Sequence, residues 1–106
     1  MIAAIPIENR TMNSNISTKF ARSMFYAIVN TNNNIIEFTK NNFVNEKTGV
    51  GKEIIKLLTN KYHVNSLIAF ELGLKIQQIA CEKKLQLIIV NKKNHTLDQL
   101  LKLMNV

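Results

Sequence analysis

A chain of 106 residues is long enough for one hydrophobic core and too short for two, so a single domain over residues 1–106 is expected. With 46% apolar residues it is no disordered tail, and no apolar run reaches the roughly 18 residues of a membrane span. The net charge of +7 points towards nucleic acid, but the 12 lysines are scattered among seven acidic residues, and 14 Ile with 15 Asn suit A/T-rich coding; a solvated basic surface is the expected reading.

The opening MIAAIPIENR is apolar for seven residues with no charge before them, and reads as a first strand over residues 2–7 and not as a signal peptide. Pro6 falls near its end, where a lost N–H is tolerable. Residues 24–30, MFYAIVN, form an aromatic and β-branched second strand. TNNN at 31–34 is a hairpin turn, because Asn tolerates positive φ, and IIEFTK at 35–40 returns as the third strand. From Val50 the spacing becomes helical: Val50, Ile54, Leu57 and Leu58 share one face of a helix ending near Lys61. SLIAF, 66–70, is a strand covered on both faces. Leu72, Ile76, Ile79 and Ala80 repeat the helical stripe, and LQLIIV, 85–90, reads as another buried strand. Thr96-Leu97-Asp98-Gln99 matches a capping box ahead of a closing helix with Leu97, Leu100, Leu101 and Met104 on its apolar face.

The order is therefore β-β-β-α-β-α-β-α. Right-handed crossovers after an antiparallel meander give strand order 3-2-1-4-5, with only the second strand antiparallel to the rest. The two middle helices then share one face of the sheet and the last helix covers the other. This is a three-layer α/β sandwich on a five-stranded mixed sheet.

Catalytic residue types are scarce. Asp98 is the one Asp and serves the capping box; His63 and His95 lie just outside helices with no Cys or acidic partner near them in sequence. No nucleophile elbow or P-loop occurs, and no enzyme is expected. The single Cys81 cannot form an internal disulfide, which fits a reducing cytoplasm, and it sits on a helix surface about half a turn from the buried stripe. In such a sheet ligands sit beyond the carboxyl ends of the parallel strands. Three segments meet there: Glu8 to Arg22, Asn41-Asn42 to Gly51, and Phe70-Glu71 opening the next helix. TGVGK, 48–52, offers free amides and a lysine to an anion; equally, Thr48 caps the helix and the glycines make the turn.

A first strand ending in IPIEN, then S-x-x-F-A-R-x-x-F (Ser17, Phe20, Ala21, Arg22, Phe25), a hairpin, Asn41 or Asn42, Gly49-x-Gly51, LIAF and Gly73 together resemble the dinitrogenase iron–molybdenum cofactor biosynthesis family of NifX/NafY-like small proteins. The order and spacing of these motifs along the whole chain carry the resemblance. It implies a ribonuclease-H-like fold and a non-catalytic binding or carrier protein for an anionic metal–sulfur cluster. The cargo it implies is an iron–sulfur or molybdenum-containing cofactor precursor, with cofactor-assembly proteins as partners.

By that resemblance Ser17, Arg22, Asn41, Asn42, Gly49, Gly51 and Lys52 would flank the cluster. Arg22 would be a fixed cation and Ser17 a hydrogen-bond donor. Arg22 could instead pin its loop through backbone carbonyls. The chain has Ala21 where members commonly have Gly, and Phe70, large enough to fill a pocket mouth, where many have Gly. It has no histidine between Phe43 and Lys61. The alternative reading is an interaction or regulatory module of the same fold that has lost cofactor binding.

Overall fold

In a computed structural model that describes residues 1–91 and 96–106, the chain runs β1 (Ile2–Ile7), β2 (Phe25–Asn30), β3 (Ile35–Lys40), α1 (Val50–Tyr62), β4 (Ser66–Ala69), α2 (Leu74–Glu82), β5 (Gln86–Ile89) and α3 (Leu97–Leu103). The strands form one sheet in the order β3-β2-β1-β4-β5. β2 is antiparallel to both β1 and β3, whereas β4 is parallel to β1 and to β5. This is the mixed sheet expected of a ribonuclease-H-like fold. The TNNN turn closes the meander as its residue types require: Asn34 takes φ 58, and the side chains of Asn30 and Asn33 accept from the amides of Asn32 and Ile35, each at 3.0 Å.

The period-2 alternation of the central strands sorts their side chains onto two cores. Ala4, Tyr26, Ile28, Leu67 and Ala69 face α1 and α2, packing on Ile54, Ile55, Leu58, Ile76 and Ala80. Ala3, Ile5, Ile7, Ala27, Val29 and Ile68 face α3, packing on Leu97, Leu100 and Leu101. α3 is only seven residues long, and its start is fixed twice. The Thr96–Gln99 capping box forms as expected, and the amides of Leu97 and Asp98 donate to the carbonyls of Ser14 and Met12 in the loop after β1.

Three expectations need correction. β5 is not buried: it pairs only with β4 and lies at the sheet edge, where Ile89 is 59% exposed. An apolar run does not distinguish a central strand from an edge strand. α2 starts at Leu74 behind Gly73, so Leu72 is buried without belonging to a helical stripe, and Phe70-Glu71 do not open the helix. Phe70 packs on the α3 side of the sheet and therefore fills no cavity mouth on the α1/α2 side. His63 is exposed at the C-cap of α1, with φ 58. His95 and the Lys92-Lys93 pair lie outside the described residues.

Candidate functional site

α1 begins in an unusual way. Its N-cap is Gly49, held at φ 75, a conformation that glycine adopts at no steric cost. No side chain caps the helix there, so Thr48 is not the cap. The carbonyl of Gly49 accepts the first helical bond, from the amide of Glu53 at 3.1 Å. The amides of Val50, Gly51 and Lys52 have no acceptor within the helix and carry the positive end of its dipole. A Cβ on Gly51 would stand 2.8 Å from Ile76 Cδ1, the tip of a side chain that would have to shift to make room.

Beside this helix end lies a cavity of about 640 Å³, well within the range of roughly 300–1,000 Å³ typical of ligand clefts. Phe20, Ala21 and Arg22 form one wall, Lys47 to Lys52 a second, and Gly73 with one face of α2 the third. Buried Phe20, Val50 and Ile76, with half-buried Ile79, give it an apolar floor. Among the described residues four cations line it, Arg22, Lys47, Lys52 and Lys75, against one carboxylate, Glu82. A smaller hollow of about 300 Å³ shares Phe20, Ala21, Arg22 and Gly73 with it and is bounded also by Thr18, Lys19 and Glu71.

Of the residues expected at the site, the fold brings together Arg22, Gly49, Gly51 and Lys52. Ser17 instead turns on its own loop, its Oγ accepting from the amide of Lys19 and donating to the carbonyl of Lys19. Asn42 is exposed and outside the cavity wall. Asn41 is buried and its side chain is spent within the fold. Its Nδ2 donates to the carbonyls of Ala21 and Ser23, both at 2.9 Å, and its Oδ1 accepts from the amide of Phe43 at 2.9 Å.

Arg22 pins a loop as well as facing the cavity: Nη1 donates to the carbonyls of Val44 (2.9 Å) and Glu46 (3.0 Å), and Nη2 to that of Lys47 (3.4 Å). Behind both stands Tyr26, fully buried, whose hydroxyl donates to the carbonyl of Phe20 and lies 3.3 Å from Asn41 Nδ2. Its ring packs tilted on Phe20 at 5.3 Å between centroids. Burial pushes the phenol far above its ordinary pKa, opposed only by the Asn41 hydrogen bond, so it remains a neutral donor.

Sequence reasoning missed the α2 wall. Lys75, Gln78, Ile79 and Glu82 recur at i, i+3, i+4 and i+7, a single helical face. Its mixed composition leaves it invisible to a search for apolar stripes. Among the described residues no group of three or more His, Cys, Asp or Glu side chains is placed to hold a metal ion, and Cys81 is exposed outside the cavity. Also among the described residues, no helix is long and apolar enough to cross a membrane.

The sequence pattern of the dinitrogenase iron–molybdenum cofactor family matches residues 1–105. Among solved structures, the apo form of the orange protein from Desulfovibrio gigas is similar with a TM-score of 0.86 at 16% identity, covering 98% of this chain and 86% of that one. A Thermotoga protein of the DUF35 family, solved by NMR under the provisional name of a NifB protein, is similar with a TM-score of 0.77 at 19% identity, over 98% of this chain and 86% of that one. No curated protein sequence matches the chain.

Proposed function

Because the chain belongs to the dinitrogenase iron–molybdenum cofactor family, we propose that it is a non-catalytic, single-domain cytoplasmic carrier of an anionic metal–sulfur cluster or cluster precursor. The cargo would sit in the cavity between the Phe20–Arg22 segment, the start of α1 and α2. One observation carries this reading: four cations and an uncapped helix end converge on a cavity whose floor is apolar.

Each part of that cavity suits such a cargo. Cations and outward amides hold negative charge without a bond to the metal. An apolar floor favours sulfur-terminated faces, which bind water weakly, over oxyanions that must shed tightly held water. Carriage without a side-chain ligand is reversible carriage, which suits a protein that passes its cargo to assembly proteins. The shared fold with the orange protein, which exists in an apo form, supports a ligand-holding role.

The test is anaerobic expression with iron and molybdate, followed by visible absorption and metal analysis, and titration of the metal-free protein with tetrathiomolybdate and with molybdate. Coloured protein with stoichiometric metal, and saturable binding of the thioanion well above that of molybdate, are expected. Absence of both colour and thioanion binding would overturn the reading. It would favour the interaction or regulatory module that has lost its cofactor, a reading that the lack of Cys and His among the described residues of the cavity wall supports.

A further inference from the structure

Two of the cavity's walls are loops from distant parts of the chain, and what fixes their separation is a buried polar pair. Asn41 Nδ2 reaches back 18 to 20 residues to the carbonyls of Ser23 and Ala21, while the amide of Asn41 donates to the carbonyl of Met24 at 2.9 Å. The Tyr26 hydroxyl donates to the carbonyl of Phe20, and Ala21 O lies 3.2 Å from it. The loop that leaves Asn41 is then caught at Val44, Glu46 and Lys47 by Arg22, the next residue along the braced segment. Lys47, Thr48 and Gly49, which follow at once, are cavity wall.

We propose that Tyr26 and Asn41 are positioning residues of the cavity: they hold the Phe20–Ser23 segment and the Asn41–Gly49 loop at the spacing at which Arg22, Lys47 and the α1 amides converge on one anion. Neither side chain touches the cargo. The argument is one of arrangement. Like charges do not gather unaided, and a flexible loop bearing Lys47 would hold it away from Arg22 and Lys52. A brace made inside the core, where hydrogen bonds are strong and unmade ones costly, keeps the cations together before any anion arrives. The phenol suits this task because burial keeps it protonated, and the amide because its donors meet two carbonyls at once, that of Ser23 inside the core. The inference rests on the proposed carrier role, and its test separates the two.

Tyr26→Phe keeps the ring on Phe20 and removes only the hydroxyl; Ile5→Val is a mild core change on the α3 side and serves as the stability control. At 25 °C, once circular dichroism shows both variants folded, the dissociation constant for tetrathiomolybdate is measured with amide hydrogen exchange of the ligand-free proteins. If the competent arrangement falls to about one-fifth of the population, the dissociation constant rises about five-fold. That rise is expected for Tyr26→Phe and no change for Ile5→Val, with faster exchange over residues 43–52 in Tyr26→Phe and unaltered exchange in α3.

Equal affinity of Tyr26→Phe and wild type, or equal weakening in both variants, would overturn the positioning role and leave the carrier reading standing. Should wild type bind no tetrathiomolybdate, the carrier reading falls and exchange alone decides: acceleration confined to residues 43–52 supports the brace, and uniform acceleration refutes it. If Tyr26→Phe does not fold, Asn41→Ser, which retains one donor, takes its place in the same comparison.

Discussion

The two faces of the sheet are filled by different means. On the α3 face the buried apolar cluster is aliphatic throughout, from Ala3 and Ile5 to Leu97 and Leu101. On the α1/α2 face aliphatic packing fills the middle, but at the carboxyl ends of β1 and β4 the layer parts around a cavity, edged by buried polar groups. Tyr26, Asn41 and Ser23 are all buried there, and Ser23 Oγ donates to the carbonyl of Ile7 at 2.9 Å. Non-directional packing suffices to close a layer. Holding one open at a fixed shape takes directional bonds, because an apolar void with mobile walls collapses.

The largest effect expected is on the closed face. Leu101→Ala should cost about 2–5 kcal/mol, the usual range for a buried leucine, seen as a lower midpoint in urea unfolding. Thioanion affinity of the folded fraction should be unchanged; a loss would mean that the two faces are coupled. Asn41→Leu comes next. It strands the carbonyl of Ser23 and leaves that of Ala21 only the Tyr26 hydroxyl, at about 1–3 kcal/mol for a buried group left unpaired, and should lower both stability and affinity. Stability lost without affinity would remove the distinction between the faces.

The third effect depends on pH. Burial raises Tyr26 above its ordinary pKa of 10.0, so the unfolded chain gives up that proton first. The stability the neutral phenol contributes is complete below about pH 10 and should fall by about 1.4 kcal/mol per pH unit above it, until the raised folded pKa is reached. Alkaline unfolding of wild type against Tyr26→Phe isolates this slope, and parallel curves would argue against it. Gly49→Ala should cost about 1 kcal/mol, because alanine is strained at positive φ while a Cβ there meets no atom within 4 Å. Arg22→Ala is the smallest in stability, about 0–1 kcal/mol, since its bonds are exposed. Its thioanion affinity should nevertheless fall clearly, through the loss of one cation and the release of the Val44–Lys47 loop.

The closed face is the one that local pattern describes well. Alternating Ala3, Ile5 and Ile7, the TNNN turn and the Thr96–Gln99 box are all short-range signals, and each forms as its spacing predicts. Even the order of strands follows from connection lengths and handedness. Of the cavity, Gly49, Gly51 and Lys52 were legible as the TGVGK helix entry and Arg22 through the family resemblance. Asn41 is expected at the site through the family resemblance, and nothing nearby in sequence reveals partners 18 to 20 residues away. Tyr26 looked like an ordinary strand aromatic for the same reason. The edge exposure of β5 escaped because it depends on which strand lies beside it, not on its own residues.

The open mouth with its four cations also sets a tempo. On the proposed carrier role, walls already in place would leave no loop to close before the anion is held, so association would be limited by diffusion and orientation, hastened by the positive field. Raising ionic strength from 10 mM to 150 mM shortens the reach of that field from about 30 Å to about 8 Å. Arrival should therefore slow steeply with salt, while departure, governed by contacts inside the cavity, changes little. How long the cargo stays would then be set by the apolar floor under Phe20 and Ile76, and how often it comes by the lysines at the rim.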